Sequence, residues 1–247
     1  MADIASSQTT ATLWRYADRE FGDRPFLVQL EAGGRREFSY AAFSRMIHRA
    51  ANAFSGLGVG VGDTVLLQIG NSPEMLTALF GLTAIGAIAV PVSLDATESE
   101  LLRVYRACRA RWAVVEHSQL ADHRAVRDRH RVGDRALFAV HGPEDDPVSF
   151  EGRCRTQSDQ PPAVSGVTGE SVAELLYTSG TTAAPKGMMI THANLYHTVW
   201  NASRSLAEKA TMATTCTRPS PHAIAGSATP TAIAVRVAVM PSACGTA

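Results

Sequence analysis

Between Leu175 and Gly187 the chain reads Leu-Leu-Tyr-Thr-Ser-Gly-Thr-Thr-Ala-Ala-Pro-Lys-Gly, which places four small hydroxyls, two glycines and one lysine directly after an apolar run. Hydroxyls and free backbone N–H groups donate hydrogen bonds, and a lysine ammonium is a compact cation for phosphate oxygens. Glycine removes the Cβ that would keep backbone and ligand apart. A loop of this composition between a strand and a helix is suited to holding a polyphosphate. It is not the G-x-x-x-x-G-K-[ST] loop of the common nucleoside triphosphatases. Counting from Gly180, the second glycine position is Pro185, and Gly187 stands where that motif needs a magnesium-binding hydroxyl.

The string from Tyr177 to Gly187 instead resembles the phosphate-binding signature of the adenylate-forming enzymes, Tyr-Thr-Ser-Gly-Thr-Thr-Gly-x-Pro-Lys-Gly. This superfamily includes the AMP-forming acyl-CoA synthetases, firefly luciferase and the adenylation domains of peptide synthetases. The one departure is Ala183, where the family usually has glycine. If that position needs positive φ, alanine is costly; if it needs only smallness, alanine serves. The following Thr191-His192-Ala193-Asn194 also matches the family's strand, Thr-His-x-Asn turn and helix. A non-glycine residue at position 183 is shared with the carnitine and crotonobetaine ligase branch.

The resemblance implies ATP-dependent activation of a carboxylic acid to an acyl-adenylate, then transfer of the acyl group to a thiol such as that of coenzyme A. ATP, Mg²⁺ and coenzyme A are the implied cofactors, and a small carboxylic acid is the implied substrate. Carried over residue by residue, Thr178, Ser179, Gly180, Thr181, Thr182 and Lys186 hold the β- and γ-phosphates. The α-phosphorus then faces the attacking carboxylate. His192 reads equally as a ligand contact or as a structural residue. A second reading stays open: a non-catalytic nucleotide- or partner-binding protein on the same scaffold.

Composition fits a soluble globular protein of one large domain or two small ones: 247 residues, 45% hydrophobic and 19% charged. Lys and Arg together number 23, as do Asp and Glu, so charge gives no reason to expect a nucleic-acid or anionic-membrane partner. The arginines from Arg103 to Arg135 are diluted by Glu116, Asp122, Asp128 and Asp134, the pattern of a solvated helix face. His117, His123 and His130 lie among those arginines, where a cation is disfavoured, so no metal site is expected there. No apolar run is long enough for a membrane span. The start lacks a signal-peptide pattern, and four scattered cysteines suit a reducing cytoplasm.

Elements that position the loop follow from periodicity. Leu13, Ala17 and Phe21 mark an amphipathic helix; Pro25–Leu30 and Arg36–Tyr40 form a hairpin; Phe43, Ile47, Ala50, Phe54 and Leu57 mark a second helix, capped by Ser39 and ended by Gly58. Ser72-Pro73-Glu74 starts a third helix. Thr97 and Glu100 make a capping box for a fourth. Thr64–Ile69, Ala87–Val92, Trp112–Glu116 and Ala136–His141 are strands. Leu79 to Val92, a small-residue helix end leading into a strand and proline, is read as close packing of helix on strand. The fold class predicted is α/β, a mainly parallel sheet flanked by helices, resembling an incomplete N-terminal domain of the adenylate-forming fold.

Four segments are expected. Residues 1–141 form an α/β subdomain and 142–171 a polar surface linker with four prolines. Residues 172–211 hold the strand, phosphate loop, second strand and a helix buried through Leu195, Val199, Ala202 and Leu206. Residues 212–247 lack acidic and aromatic side chains and read as a frameshifted or truncated tail, or else as a disordered one. The family's later motifs, a Thr-Glu pair at adenine and Mg²⁺, a Thr-Gly-Asp at the ribose and a C-terminal lysine, have no counterpart after Lys186, the last lysine being Lys209. The chain alone is therefore expected not to complete the reaction, and to expose apolar sheet surface.

Overall fold

A computed structural model describes residues 7–31, 34–133, 135–178, 186–213 and 233–235. Helix α1 (Thr10–Phe21) precedes a hairpin of β1 (Pro25–Glu31) and β2 (Gly34–Ser39), then α2 (Tyr40–Gly56). An alternation follows: β3 (Thr64–Gln68), α3 (Pro73–Ala84), β4 (Ile88–Pro91), α4 (Glu98–Cys108), β5 (Trp112–Glu116), α5 (Leu120–His130) and β6 (Leu137–Val140). Then come α6 (Phe150–Arg155), β7 (Val172–Thr178), β8 (Lys186–Thr191), α7 (His192–Ala213) and β9 (Ile233–Val235). The starts obey local chemistry. Ser39 and Ser72 accept from the backbone N–H groups of Ala42 and Met75, and Thr97 and Glu100 bond reciprocally as a capping box.

The larger sheet has the order β6-β5-β3-β4-β7-β8, parallel except for β8, which closes an antiparallel hairpin with β7. Alternate strand residues face opposite layers. Val65, Leu67, Trp112, Val114, Phe138 and Val140 pack with Ala50, Phe54, Leu82 and Phe150 on one side. Leu66, Val90, Ala113, Val115 and Ala139 pack with Leu101, Tyr105, Leu120 and Val126 on the other. This two-sided burial explains the nearly continuous apolar runs. The predicted α/β sandwich, helices on both faces of a mainly parallel sheet, is the fold observed. A smaller antiparallel sheet, β2-β1-β9, covers an aromatic cluster that includes Tyr16, Phe26, Tyr40, Phe43 and Tyr196.

The structure departs from the sequence reading in three places. The 142–171 connection carries α6, whose Phe150 is 3% exposed, because one apolar residue in a polar stretch suffices to anchor a short helix on Phe54. Gly81 faces a helix rather than a strand: a Cβ there would lie 2.9 Å from Ala50 Cβ. Helix α7 buries Ala193 and Tyr196 instead of the expected Leu195–Val199–Ala202 stripe, and Val199 is 40% exposed. The side chain of Leu206 and most of the 212–247 tail lie outside the described residues. Of the segment expected to pass as a strand, Ile233–Val235 pairs with Gln29, Val28 and Leu27 of β1.

Candidate phosphate-binding site

Parallel strands β3, β4, β5 and β7 end on one edge of the sheet, the edge where open α/β sheets place ligands. Strand β7 runs into the hydroxyl-rich loop there. Thr178 and Lys186 are direct partners across the mouth of the β7–β8 hairpin, so the intervening seven residues, 179–185, leave and re-enter at adjacent points. The structure thus brings two of the sequence-assigned residues together at backbone level. Ser179, Gly180, Thr181 and Thr182, together with Ala183, lie outside the described residues.

The loop joins two antiparallel strands, not a strand and a helix. Among the described residues, the element that directly follows the loop is therefore a strand and not a helix N-terminus. The hairpin is rigidly based. Tyr177 and Leu175 pack on the sheet core, and Tyr177 lies over its cross-strand partner Gly187. A Cβ at Gly187 would sit 3.1 Å from the Tyr177 ring. The final glycine of the motif thus has a packing reason that the sequence alone does not disclose. Glu174, next to β4, is pushed above the usual carboxylate range by burial.

The Thr-His-x-Asn turn resolves into two structural roles. Thr191 donates N–H and O–H to Asn194 Oδ1, each at 3.0 Å, and its hydroxyl accepts from the Asn194 N–H at 3.2 Å. This reciprocal cap starts α7. His192 is fully buried, and its Nδ1 accepts the Thr10 backbone N–H at 3.3 Å, with the Thr10 hydroxyl 3.1 Å away. It satisfies one of the orphan donors that open α1. Burial lowers its pKa to about 4. Of the two readings open for His192, the structural one is observed.

His123 is similarly absorbed into the core. Its Nδ1 accepts from Tyr105 Oη at 2.9 Å, its Nε2 donates to Gln68 Oε1 at 2.6 Å, and Gln68 donates onward to the Ser93 carbonyl at 2.8 Å. The network pins the ends of β3 and β4, and burial lowers His123 to about 4. Sequence reading placed this histidine only among arginines. What it missed was the 0% exposure that two partners distant in sequence, Tyr105 and Gln68, make possible.

A mainly parallel α/β sheet whose inner strand feeds a hydroxyl-rich hairpin loop is the architecture of the N-terminal domain of adenylate-forming ligases. The chain belongs to the AMP-binding enzyme family, whose model matches residues 13–243. It is 32% identical over 212 residues to a crotonobetaine/carnitine–CoA ligase of Citrobacter koseri, covering 81% of this chain and 40% of that protein. The ligase of the same name from Salmonella paratyphi B is 33% identical over 206 residues, with 80% and 40% covered. The chain thus spans about 40% of the length of these relatives. Among solved structures, the anthranilate–CoA ligase AuaEII in complex with anthranoyl-AMP shares the fold at TM-score 0.69 and 24% identity, covering 82% of this chain and 38% of that one. ATP-bound MatB from Rhodopseudomonas palustris matches at TM-score 0.62 and 27% identity, with 76% and 36% covered.

Proposed function

We propose that this chain provides the triphosphate grip of an ATP-dependent acid–thiol ligase that makes an acyl-adenylate and then a coenzyme A thioester. The observation that carries the reading is the Tyr177–Gly187 string set between paired β7 and β8 at the carboxyl edge of the sheet. Its fit to a polyphosphate rests on two facts: Thr178 and Lys186 open the loop side by side, and the loop between them is rich in hydroxyls and backbone donors. Thr178, Ser179, Thr181 and Thr182 would hydrogen-bond phosphate oxygens, Gly180 would let the backbone approach, and Lys186 would supply the direct positive charge. ATP would supply the leaving pyrophosphate, and Mg²⁺ would neutralise its charge. The chain's contribution is to fix that tail, part of the positioning that contributes up to ~7–11 kcal/mol in well-oriented reactions.

The likeness to ligases named for crotonobetaine and carnitine supports those two acids as the first substrates to test, and a cytoplasmic setting supplies ATP, coenzyme A and reduced thiols. Cys108 and Cys154 are free. Among the described residues no helix is long and apolar enough to cross a membrane. The catalytic test is a chimera in which residues 13–213 replace the matching part of the Citrobacter koseri ligase. Carboxylate-dependent pyrophosphate formation is expected to persist, and Lys186→Ala to reduce it roughly 10²-fold. A folded chimera whose activity ignores Lys186→Ala would contradict the proposal, and a folded chimera without activity would favour a non-catalytic scaffold.

A further inference from the structure

We infer that Glu74, His141 and Glu151, with Glu116 as an outer partner of the imidazole, form a binding site for one divalent transition-metal cation. The donors come from three places: the first turn of α3, the residue after β6, and the first turn of α6, while Glu116 approaches from the end of β5. Candidate ligand atoms of Glu74, His141 and Glu151 all lie within 4.8 Å of one another. His141 Nε2 is 3.1 Å from Glu74 Oε2, and its Nδ1 is 2.9 Å from Glu116 Oε2. Metal bonds of about 2.1 Å at tetrahedral or octahedral angles set neighbouring donors about 3.0–3.4 Å apart, so an ion fits beside the Glu74–His141 pair with little movement.

An independent feature points to a cation here. Glu151 Oε1 accepts the His141 backbone N–H at 2.9 Å, but Glu151 Oε2 is closed off from solvent and has no hydrogen-bond partner among the described residues. A buried carboxylate oxygen without a donor is costly unless a cation reaches it. The charges agree, since three carboxylates surround one imidazole. Imidazole with carboxylates suits Zn²⁺, Co²⁺ or Mn²⁺. Glu116 Oε2 meets His141 Nδ1 while its Oε1 accepts the Gly70 N–H at 2.8 Å, so Glu116 orients the imidazole as an outer partner does. In the sheet order β5 is three strands from β7, roughly 14 Å at about 4.8 Å per strand, so Glu116 stands apart from the end of β7.

Titration of the purified 247-residue chain with Co²⁺, followed by d–d absorption, and with Zn²⁺, followed by calorimetry, tests the site. One equivalent is expected, without a thiolate charge-transfer band, with Zn²⁺ displacing Co²⁺ and raising the melting temperature. His141→Asn, which tolerates the left-handed φ of 59° at this position, and Glu151→Gln should each weaken binding at least ~10-fold, while the distant Glu98→Gln should not. Should His141→Asn fail to fold, Glu151→Gln and Glu74→Gln give the same reading. No saturable binding, a thiolate band, or wild-type affinity in the folded variants would overturn the inference.

Discussion

At the scale of single residues, three histidines that look alike in the sequence behave in opposite ways. His123 and His192 are both 0% exposed and held neutral, with pKa lowered to about 4, whereas His141 is raised to about 9. In the unfolded chain each returns to about 6.5. Below that value the unfolded state takes up protons that His123 and His192 refuse, so their contribution is complete above pH 6.5 and is lost as pH falls towards 4. His141 works the other way: its contribution is complete below pH 6.5 and disappears as pH rises through 9. Urea unfolding of the metal-free chain should therefore show greatest stability near pH 6.5. His123→Phe should flatten the acid limb, whose full size is on the order of 3 kcal/mol for this buried group. His141→Gln should flatten the alkaline limb. An acid limb unchanged by His123→Phe would contradict the buried neutral histidine. The same scale holds Gly187, where a Cβ 3.1 Å from the Tyr177 ring would force the ring to shift. Gly187→Ala is expected to cost about 1 kcal/mol, read as a lower urea midpoint.

At the scale of elements, two contacts decide how the layers meet. Gly81 brings α3 against α2, so closely that an added Cβ would lie only 2.9 Å from Ala50 Cβ and 3.1 Å from the Ala51 backbone nitrogen. Glycine to alanine in a helix normally gains about 1 kcal/mol of propensity. Here backbone atoms that cannot rotate away oppose it, so Gly81→Ala should destabilise; a higher melting temperature would show the helices are free to part. Thr191 and Asn194 cap α7 reciprocally, and Thr191→Ala should cost about 1 kcal/mol without altering the β7–β8 pairing. Much at this scale is legible from sequence, because Ser39, Ser72 and the Thr97–Glu100 box are local hydrogen-bonding signals read within four residues. The buried face of α7 is not, because it is chosen by α1 through His192 and by the aromatic cluster through Tyr196, partners far away in sequence. Helix α6 escapes periodicity for a similar reason: Phe150 makes sense only against Phe54.

At the scale of the whole molecule, the parallel sheet and the phosphate string are both readable, the first from apolar runs spaced by helices and the second from a long ordered motif. The carboxylate–histidine cluster is not, since Glu74, Glu116, His141 and Glu151 have no local spacing and meet only where strands and helix starts converge. The central claim, that the β7–β8 loop grips a triphosphate, is tested most directly by equilibrium binding of ATP to the 247-residue chain with two competitors. Tripolyphosphate should displace ATP while adenosine does not, and Lys186→Ala should weaken ATP at least ~10-fold with circular dichroism unchanged. Displacement by adenosine alone, or ATP binding indifferent to Lys186→Ala in a folded chain, would contradict the account.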